Sequence, residues 1–190
     1  ALRLLGSEPT RRRIDLLLAR AGSAVELRQL EMAEADVAEA RLMAAALGDR
    51  LAEAQAALVE GEIRLNAGDF AVAADMFEGA RASFAELGDE PGEAEALRQI
   101  GMSHIFRGRN VEAEDAVRDA LVRFRTLGDR RGEAWALQNL AWIAYVQGRT
   151  SVAEDRIAVS AKTFEELGDR GGLGWALGLL AFVRFHQGEH

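Results

Sequence analysis

The tripeptide Leu-Gly-Asp occurs four times in this chain, and the copies follow one another at a constant interval. They begin at Leu47, Leu87, Leu127 and Leu167. A constant period of roughly 40 residues indicates one structural unit stacked repeatedly, which is typical of a solenoid rather than of a domain with a single closed core. A stack of similar units offers a binding surface before it offers a catalytic pocket, so the spacing also favours a binding protein over an enzyme.

Many other positions recur with the same period as the tripeptide. These columns contain a second turn glycine (Gly68, Gly108, Gly148, Gly188), a small residue (Gly61, Gly101, Ala141, Ala181), a large apolar residue (Val37, Phe77, Val117, Ile157) and an aromatic residue (Phe84, Phe124, Phe164). Within one row the apolar columns are three or four positions apart, as at Ala113, Val117 and Ala120. That spacing places them on one face of an α-helix, and the alternation that strands need is not evident.

Each unit is therefore predicted to contain a helix A, a glycine turn, a helix B and the Leu-Gly-Asp turn. Glycine ends a helix at little cost because it adopts the left-handed conformation freely. The leucine is expected to pack back across its turn. A polar residue after each turn is expected to cap the next helix. The predicted caps are Asp69, Asn110 and Thr150 at one kind of turn, and Asp89, Asp129 and Asp169 at the other.

The predicted helices cover residues 51–67, 70–86, 91–107, 111–126, 131–147, 151–166 and 171–187. The first row is irregular: its helix A is expected over 8–21, with a break at Gly22-Ser23, and its helix B over 24–46. An atypical first unit is expected of a terminal cap. The whole chain, 1–190, is predicted to form one array with repeats at about 8–49 (atypical), 50–89, 90–129, 130–169 and 170–190 (partial).

Composition excludes several classes of function. The formal net charge of -8 disfavours nucleic-acid binding, and the absence of cysteine excludes disulfides and thiolate chemistry. No apolar run approaches the ~20 residues of a membrane helix, and Arg11-Arg12-Arg13 precedes too short an apolar stretch for a signal peptide. We therefore expect a cytoplasmic protein that does not bind membranes. The chain starts at Ala1 and stops in mid-unit at His190, so we expect it to be a fragment of a longer protein.

Residues 132–141, Gly-Glu-Ala-Trp-Ala-Leu-Gln-Asn-Leu-Ala, followed by Gly148 and Ala153, resemble a tetratricopeptide repeat. The resemblance covers about residues 51–188 well and the first row weakly. It implies an all-α, right-handed α-solenoid of antiparallel helix pairs. The 40-residue period is similar to the variant found in large bacterial signalling proteins, beside a nucleotide-binding switch domain, a helix-turn-helix output, a kinase or a cyclase.

Two features depart from the family pattern. The Leu-Gly-Asp turn stands where the shorter consensus has a proline near the end of helix B. Glu60 occupies a column that holds Ile100, Leu140 and Leu180 in the other rows. The pattern is specific for the fold and says little about the ligand.

The resemblance implies a non-catalytic module that needs no cofactor and binds a protein or peptide on the concave surface lined by helices A. The implied groove positions are Gln55, Glu62, Glu95, Arg98, Met102, Trp135, Gln138, Asn139, Trp142, Tyr145, Trp175, Phe182 and Phe185. Aromatic rings beside amides and an arginine suit an extended peptide or a helix. Alternatively, Trp135 and Trp175 simply pack between neighbouring helices A. The second functional hypothesis is a small-molecule effector sensor, based on the aromatic residues near Trp135, Trp142 and Trp175.

The last helix A lacks a helix B of its own and carries a strongly apolar set of side chains. The set is Leu173, Leu177, Leu180, Phe182 and Phe185. In an intact protein we expect another helix to cover part of this surface, and in a fragment it could drive homodimerisation. Four glycines in this helix also make it the least stable one of the array.

No residue pattern predicts catalysis or a metal site. His104, His186 and His190 lack metal-ligand spacing, and acidic residues such as Glu93 and Glu133 recur with the repeat, as helix N-terminal residues do. Residues 128–132, Gly-Asp-Arg-Arg-Gly, lack both the lysine and the preceding strand of a phosphate loop. We therefore predict no catalytic residue, no metal and no cofactor.

Overall fold

Residues 8–187 are described by a computed structural model, and all of their regular structure is helical. The nine helices of this part of the chain are α1 (Arg11–Glu26), α2 (Leu30–Leu47), α3 (Arg50–Ala67), α4 (Phe70–Leu87), α5 (Glu90–Phe106), α6 (Asn110–Leu127), α7 (Arg130–Val146), α8 (Thr150–Leu167) and α9 (Arg170–Gln187). Each helix packs against the next one in the chain. Odd-numbered helices are helices A and even-numbered ones are helices B, so the predicted helical-repeat α-solenoid is confirmed.

Glycine ends the helices in the way that the sequence predicts. The seven turn glycines from Gly48 to Gly168 have φ between 64° and 90°, the left-handed region. The residue after each glycine donates its amide to a carbonyl five positions back, as Asp89 does to Phe84 at 2.9 Å. This bond satisfies a carbonyl that the helix end would leave without a partner. Gly188 lies outside the described residues.

The aspartate of the Leu-Gly-Asp turn caps helix A in three of the four copies. Asp49, Asp129 and Asp169 each accept a hydrogen bond of 2.9–3.0 Å from the backbone amide three positions further on. This hydrogen bond from the backbone amide lowers the side-chain pKa of Asp49 and of Asp169 below the usual range for aspartate. Asp89 makes no such side-chain bond, in the one helix A that has proline, Pro91, in its first turn.

The predicted caps at the other turn are wrong. Asn110 and Thr150 are already the first residues of α6 and α8, so Arg109 and Arg149 occupy the capping positions and make no side-chain cap bond. Asp69 does occupy the capping position before α4, but its side chain makes no cap bond. The ψ angle is 56° at Asp69 and 85° at Asp49, whose side chain does make this bond. Each of these turns is closed by a backbone hydrogen bond, as from the amide of Arg109 to the carbonyl of His104 at 2.9 Å.

The leucines of the tripeptide pack less than expected. Leu47, Leu87 and Leu167 are 47%, 37% and 43% exposed, whereas Leu127 packs against the core beside Phe124. Only one of the four therefore fulfils the prediction that the leucine packs across its turn. The others lie at the end of a helix B, where the neighbouring helices do not cover them.

The predicted break at Gly22-Ser23 is also wrong, because α1 continues to Glu26. Burial of Ala21, Ala24 and Val25 on one face stabilises this part of the helix and outweighs the ~1 kcal/mol that a helical glycine costs. The chain leaves the helix at Arg28, whose φ of 58° makes it the one described non-glycine residue with positive φ. Arg28 lies one repeat period before Gly68, so it occupies the glycine column of the repeat.

Helix A and helix B approach closely at the small-residue column. A Cβ atom placed on Gly61 would lie 2.5 Å from the ring of Phe77, and one on Gly101 would lie 2.3 Å from Cγ2 of Val117. A second close approach joins successive units, since a Cβ on Gly132 would lie 2.3 Å from the ring of Phe124. Both contacts bury the residues of the large apolar and aromatic columns. In an interior packed this densely, an added methyl group would displace the neighbouring side chain.

Replacing Gly101 with alanine should destabilise the array. Val117 is fully buried and β-branched, so its side chain cannot rotate away from the added methyl group. We expect Gly101→Ala to lower the free energy of unfolding by about 1–3 kcal/mol in urea titrations followed by circular dichroism. Gly79→Ala is the matched control, because Gly79 is an exposed helical glycine with open space around it. Gly79→Ala should raise the free energy of unfolding by about 0.5–1 kcal/mol. If both substitutions changed the free energy of unfolding in the same direction, the close contact at Gly101 would be contradicted.

Candidate functional site

Helices A lie side by side along one surface of the solenoid. Contacts join α1 to α3, α3 to α5, α5 to α7 and α7 to α9, whereas no two helices B of the described chain are in contact. Helices A are therefore on the inner side of the curve and helices B on the outer side. We call the inner surface of α3, α5, α7 and α9 the helix A groove.

A polar cluster of four side chains lies between α3 and α5 in this groove: Glu62, Glu95, Arg98 and Gln99. The Gln99 side-chain amide donates to Glu62 Oε1 at 2.8 Å and to Glu95 Oε1 at 3.1 Å. Arg98 pairs with Glu95 through both its Nε and its Nη2 atoms. One amide therefore holds two carboxylates together, and only one of these carboxylates has an arginine partner in the cluster.

Trp135 on α7 extends this cluster toward the next helix. The guanidinium carbon of Arg98 lies 5.8 Å from the centre of the Trp135 ring, a cation–π distance, and the ring of Phe164 meets Trp135 edge-on at 5.0 Å. Trp135 thus packs against α8, a helix B, and also presents a ring face to Arg98 on α5.

Two amide side chains follow on the same face of α7, one turn after Trp135. Gln138 and Asn139 are only 7% and 6% exposed. The Gln138 Oε1 and Asn139 Nδ2 atoms are buried without a hydrogen-bond partner in the structure. A buried polar atom without a partner costs roughly 1–3 kcal/mol, so these two amides lower the stability of the folded chain.

An aromatic cluster lies beyond these amides, between α7 and α9: Trp142, Tyr145, Phe182 and His186. The Phe182 ring is 5.6 Å from Trp142, 5.4 Å from Tyr145 and 4.3 Å from His186, centre to centre. Phe182 is 40% exposed, so the cluster retains open apolar surface. Phe185 is 65% exposed and contacts the His186 ring at 5.5 Å.

The structure brings some of the predicted groove residues together and separates others. Trp142 joins Tyr145 and Phe182, whereas Trp135 packs against Phe164. Trp175 is 68% exposed. The ring contacts of the described residues therefore do not place the three tryptophans in one cluster. Met102 is partly buried against the same core residues as Trp142. Whether these groove residues bind a partner remains a prediction.

Sequence reasoning missed two members of the groove. Gln99 was not among the predicted positions, although it shares its repeat column with Asn139. His186 was expected to be an ordinary surface histidine. It is exposed, but its ring packs against Tyr145 and Phe182, and its Nδ1 lies 2.9 Å from the Phe182 carbonyl oxygen. The register of the repeat predicts a groove position for Gln99, but it gives no such signal for His186.

The environment of Glu62 disfavours its ionised form. Burial raises the pKa of Glu62 to about 7, and the neighbouring Glu95 carboxylate acts in the same direction. Arg98 and the Gln99 amide oppose this shift, and Glu26 adds to it. The positive charge near Glu62 is therefore too small to offset the effects of burial and of the Glu95 carboxylate on its ionised form.

Glu62 should make stability depend on pH. An unperturbed glutamate ionises near 4.5, so between about pH 4.5 and 7 the folded chain holds a proton that the unfolded chain releases. The contribution of Glu62 to stability therefore falls as pH rises through that window. Glu62→Gln keeps an acceptor for Gln99 and cannot ionise. We expect the variant to match the wild type near pH 4.5 and to have the higher Tm at about pH 8 in thermal unfolding.

The control for this experiment is Glu53→Gln. Glu53 is exposed in the first turn of the same helix, so the change removes an equal charge outside the groove. A Tm difference that grows equally with pH in both variants would contradict the special environment of Glu62.

Within residues 8–187, no three His, Cys, Asp or Glu side chains are grouped so that they could hold a metal ion. His190 lies outside these residues. The same part of the chain contains no helix with the length and apolarity needed to cross a membrane. What the groove offers is a row of polar and aromatic side chains on rigid helices, which is an arrangement for binding.

These features define a helical-repeat scaffold with a lined inner groove. Residues 92–166 match the family model of the tetratricopeptide repeat, so the resemblance drawn from the sequence is confirmed for that part of the chain. Such repeats generally mediate protein–protein interaction and are typically non-catalytic.

The chain is also similar to a solved structure. The crystal structure of BtubC (BKLC) from P. vanneervenii superposes with a TM-score of 0.63 and 18% sequence identity. The match covers 94% of this chain and 84% of BtubC. At this level of identity the likeness shows the fold alone. No curated protein sequence matches the chain.

Proposed function

We propose that this chain is a non-catalytic module that binds a peptide or an extended segment of a protein in the helix A groove. The observation that carries the proposal is the pair of buried amides without partners, Gln138 Oε1 and Asn139 Nδ2. They are adjacent in sequence, and one is an acceptor and the other a donor. An extended peptide main chain presents one donor and one acceptor per residue and could satisfy both.

The side chains on either side of these amides suit the same ligand. The polar cluster lies on the α5 side, and the aromatic cluster lies on the α9 side. Aromatic side chains contribute large apolar contact areas at binding interfaces, and an exposed ring such as Phe182 can contact an apolar side chain of the ligand. Main-chain hydrogen bonds in the middle and side-chain contacts at both ends support recognition of a specific sequence.

We further propose that the module is the sensor or interaction region of a larger bacterial regulatory protein in the cytoplasm. The 40-residue period, which resembles that of the repeats in such regulators, supports this setting. The sequence of the gene on either side of the present chain tests it. A neighbouring ATPase, kinase, cyclase or DNA-binding domain is expected, and an open reading frame without one would overturn the proposal.

Homodimerisation through the last helix remains a prediction. Leu177 and Trp175 on α9 are 51% and 68% exposed. In α7, which has a helix B beside it, the equivalent residue of Leu177 is Leu137, and it is 8% exposed. The difference shows how much apolar surface a neighbouring helix covers at this position of the repeat.

Removing two rings of the aromatic cluster should weaken peptide binding. We expect the double change Trp142→Ala, Tyr145→Ala to lower the affinity for a peptide selected on the wild-type chain by about thirtyfold or more, because a single hot-spot aromatic contributes about 2 kcal/mol. Isothermal titration calorimetry measures the affinity, and circular dichroism checks that helical content is unchanged. The control is Val122→Ala, Val159→Ala, which trims two exposed side chains on helices B. Unchanged affinity in the groove variant would rule out the aromatic cluster as part of the binding site.

A second candidate function is the sensing of a small-molecule effector. The observation that favours it is the contact of His186 with Phe182 and Tyr145, which places an imidazole ring at the edge of the aromatic cluster. The double change Trp135→Phe, Trp175→Phe leaves Trp142 as the sole tryptophan and as a fluorescent reporter at the cluster. A saturable fluorescence change with a metabolite of low molecular mass, absent after Phe182→Ala, is the result expected for a sensor. Silence across a metabolite panel, together with a response to peptides, would eliminate this candidate.

A further inference from the structure

We infer that the helix A groove selects a peptide with a cationic side chain, arginine or lysine, seated in the polar cluster and a large apolar side chain seated in the aromatic cluster. This inference rests on the proposed peptide-binding function and specifies the chemistry of the ligand. It follows from the charges of the polar cluster, the unpartnered amides and the distance between the two clusters.

With both glutamates ionised, the polar cluster carries one negative charge in excess. Glu62 and Glu95 supply two carboxylates and Arg98 supplies one guanidinium, which pairs with Glu95. Among the bonds of the described residues, the side-chain carboxylate of Glu62 accepts a hydrogen bond only from the neutral amide of Gln99. A ligand cation would give Glu62 the opposite charge that the fold does not provide, and charge complementarity of this kind favours one class of partner over others.

The raised pKa of Glu62 agrees with this picture. It reports that burial and the Glu95 carboxylate together outweigh the stabilisation that Arg98 and Gln99 give to the charged form. The charge of the Glu26 carboxylate adds to this shift. A cation bound beside Glu62 would favour its charged form and lower its pKa. An acidic ligand would meet the same three carboxylates and be repelled.

An independent observation comes from α7. Gln138 is 7% exposed, its Oε1 has no hydrogen-bond donor, and it lies on the face of α7 whose Trp135 ring meets Arg98. Gln138 Oε1 can therefore accept a hydrogen bond from a ligand main chain, and the adjacent Asn139 Nδ2 can donate one. Guanidinium and ammonium groups carry only donors, five and three respectively, so a cationic side chain matches the Glu62 carboxylate, which only accepts.

The repeat register gives the separation between the two ends of the ligand. Glu62, Met102, Trp142 and Phe182 occupy one column of the repeat, on successive helices A. Neighbouring packed helices lie about 10 Å apart, so Glu62 on α3 and Trp142 on α7 are separated by roughly 20 Å. An extended chain advances about 3.3 Å per residue, which places the cationic and apolar side chains about six residues apart. Met102, Gln138 and Asn139 line the groove between the two clusters. These side chains suit a peptide main chain with small side chains.

The test uses a library of random dodecapeptides displayed on phage and selected on the present chain. We expect the selected peptides to be enriched in arginine or lysine about six residues from an aromatic or large aliphatic residue. A synthetic copy of the strongest binder is then measured by calorimetry, with its arginine replaced by citrulline, which keeps the shape and removes the charge. That replacement should weaken binding to the wild type by about tenfold.

Protein variants link this loss to one carboxylate. In Glu62→Gln the arginine and citrulline peptides should bind within roughly a factor of two of each other, because the charge partner is gone. In Glu53→Gln, which removes an equal charge from an exposed part of the same helix, the tenfold difference should persist. An equal loss in both variants would show a diffuse effect of net charge and would overturn the assignment to Glu62.

The failures of the two proposals are distinguishable. If no peptide binds, or if neither Trp142→Ala, Tyr145→Ala nor Glu62→Gln changes the affinity of the selected peptides, then the groove is not a peptide site and the proposed function fails. If peptides bind in the groove but show no preference for a cation, or prefer acidic residues, then only the present inference fails. If N-acetyl-arginine amide alone binds as tightly as the selected peptide, then the site recognises a small cation and the apolar end of the ligand has no role.

Discussion

Helix A and helix B of each unit approach so closely that the contact residue of helix A has room for a hydrogen atom or one methyl group. Gly61 and Gly101 provide the hydrogen, and Ala141, fully buried, provides the methyl group. The large apolar residue opposite, such as Val117, fills the space between the two helices. This contact fixes the helix pair as a rigid unit, and stacking similar pairs places helices A side by side. The groove exists because of that arrangement.

The face of helix A that is turned away from helix B is free of this constraint. One groove column changes from Glu62 through Met102 to Trp142 and Phe182 along the array, while the buried columns stay small or apolar. The same scaffold therefore presents an acidic, polar end and an aromatic end. Residues that vary between units at a constant backbone position are where a repeat protein can distinguish one ligand from another, since the scaffold itself is equivalent in every unit.

Much of the fold was predictable, and the errors have physical causes. The glycine turns and the capping aspartates follow from backbone chemistry that acts over a short stretch of chain, so Gly128 and Asp129 behave as the pattern predicts. The break at Gly22 was wrong because burial of neighbouring side chains outweighed local propensity. Arg28 takes the left-handed conformation in the glycine column, because there the packing of the two helices, and not the residue, sets the turn.

The sequence by itself determined the period, the helices, the turns and the face of each helix that is buried. These depend on intervals of three and four positions within a helix and on the constant interval between units. It also indicated Trp142 and Tyr145 as neighbours one turn apart. Only the tertiary structure decided that Gln99 on α5 bonds to Glu62 on α3, and that Arg98 lies over Trp135. Contacts between helices depend on their rotation and separation to within an ångström or so, and no spacing along one helix contains that information.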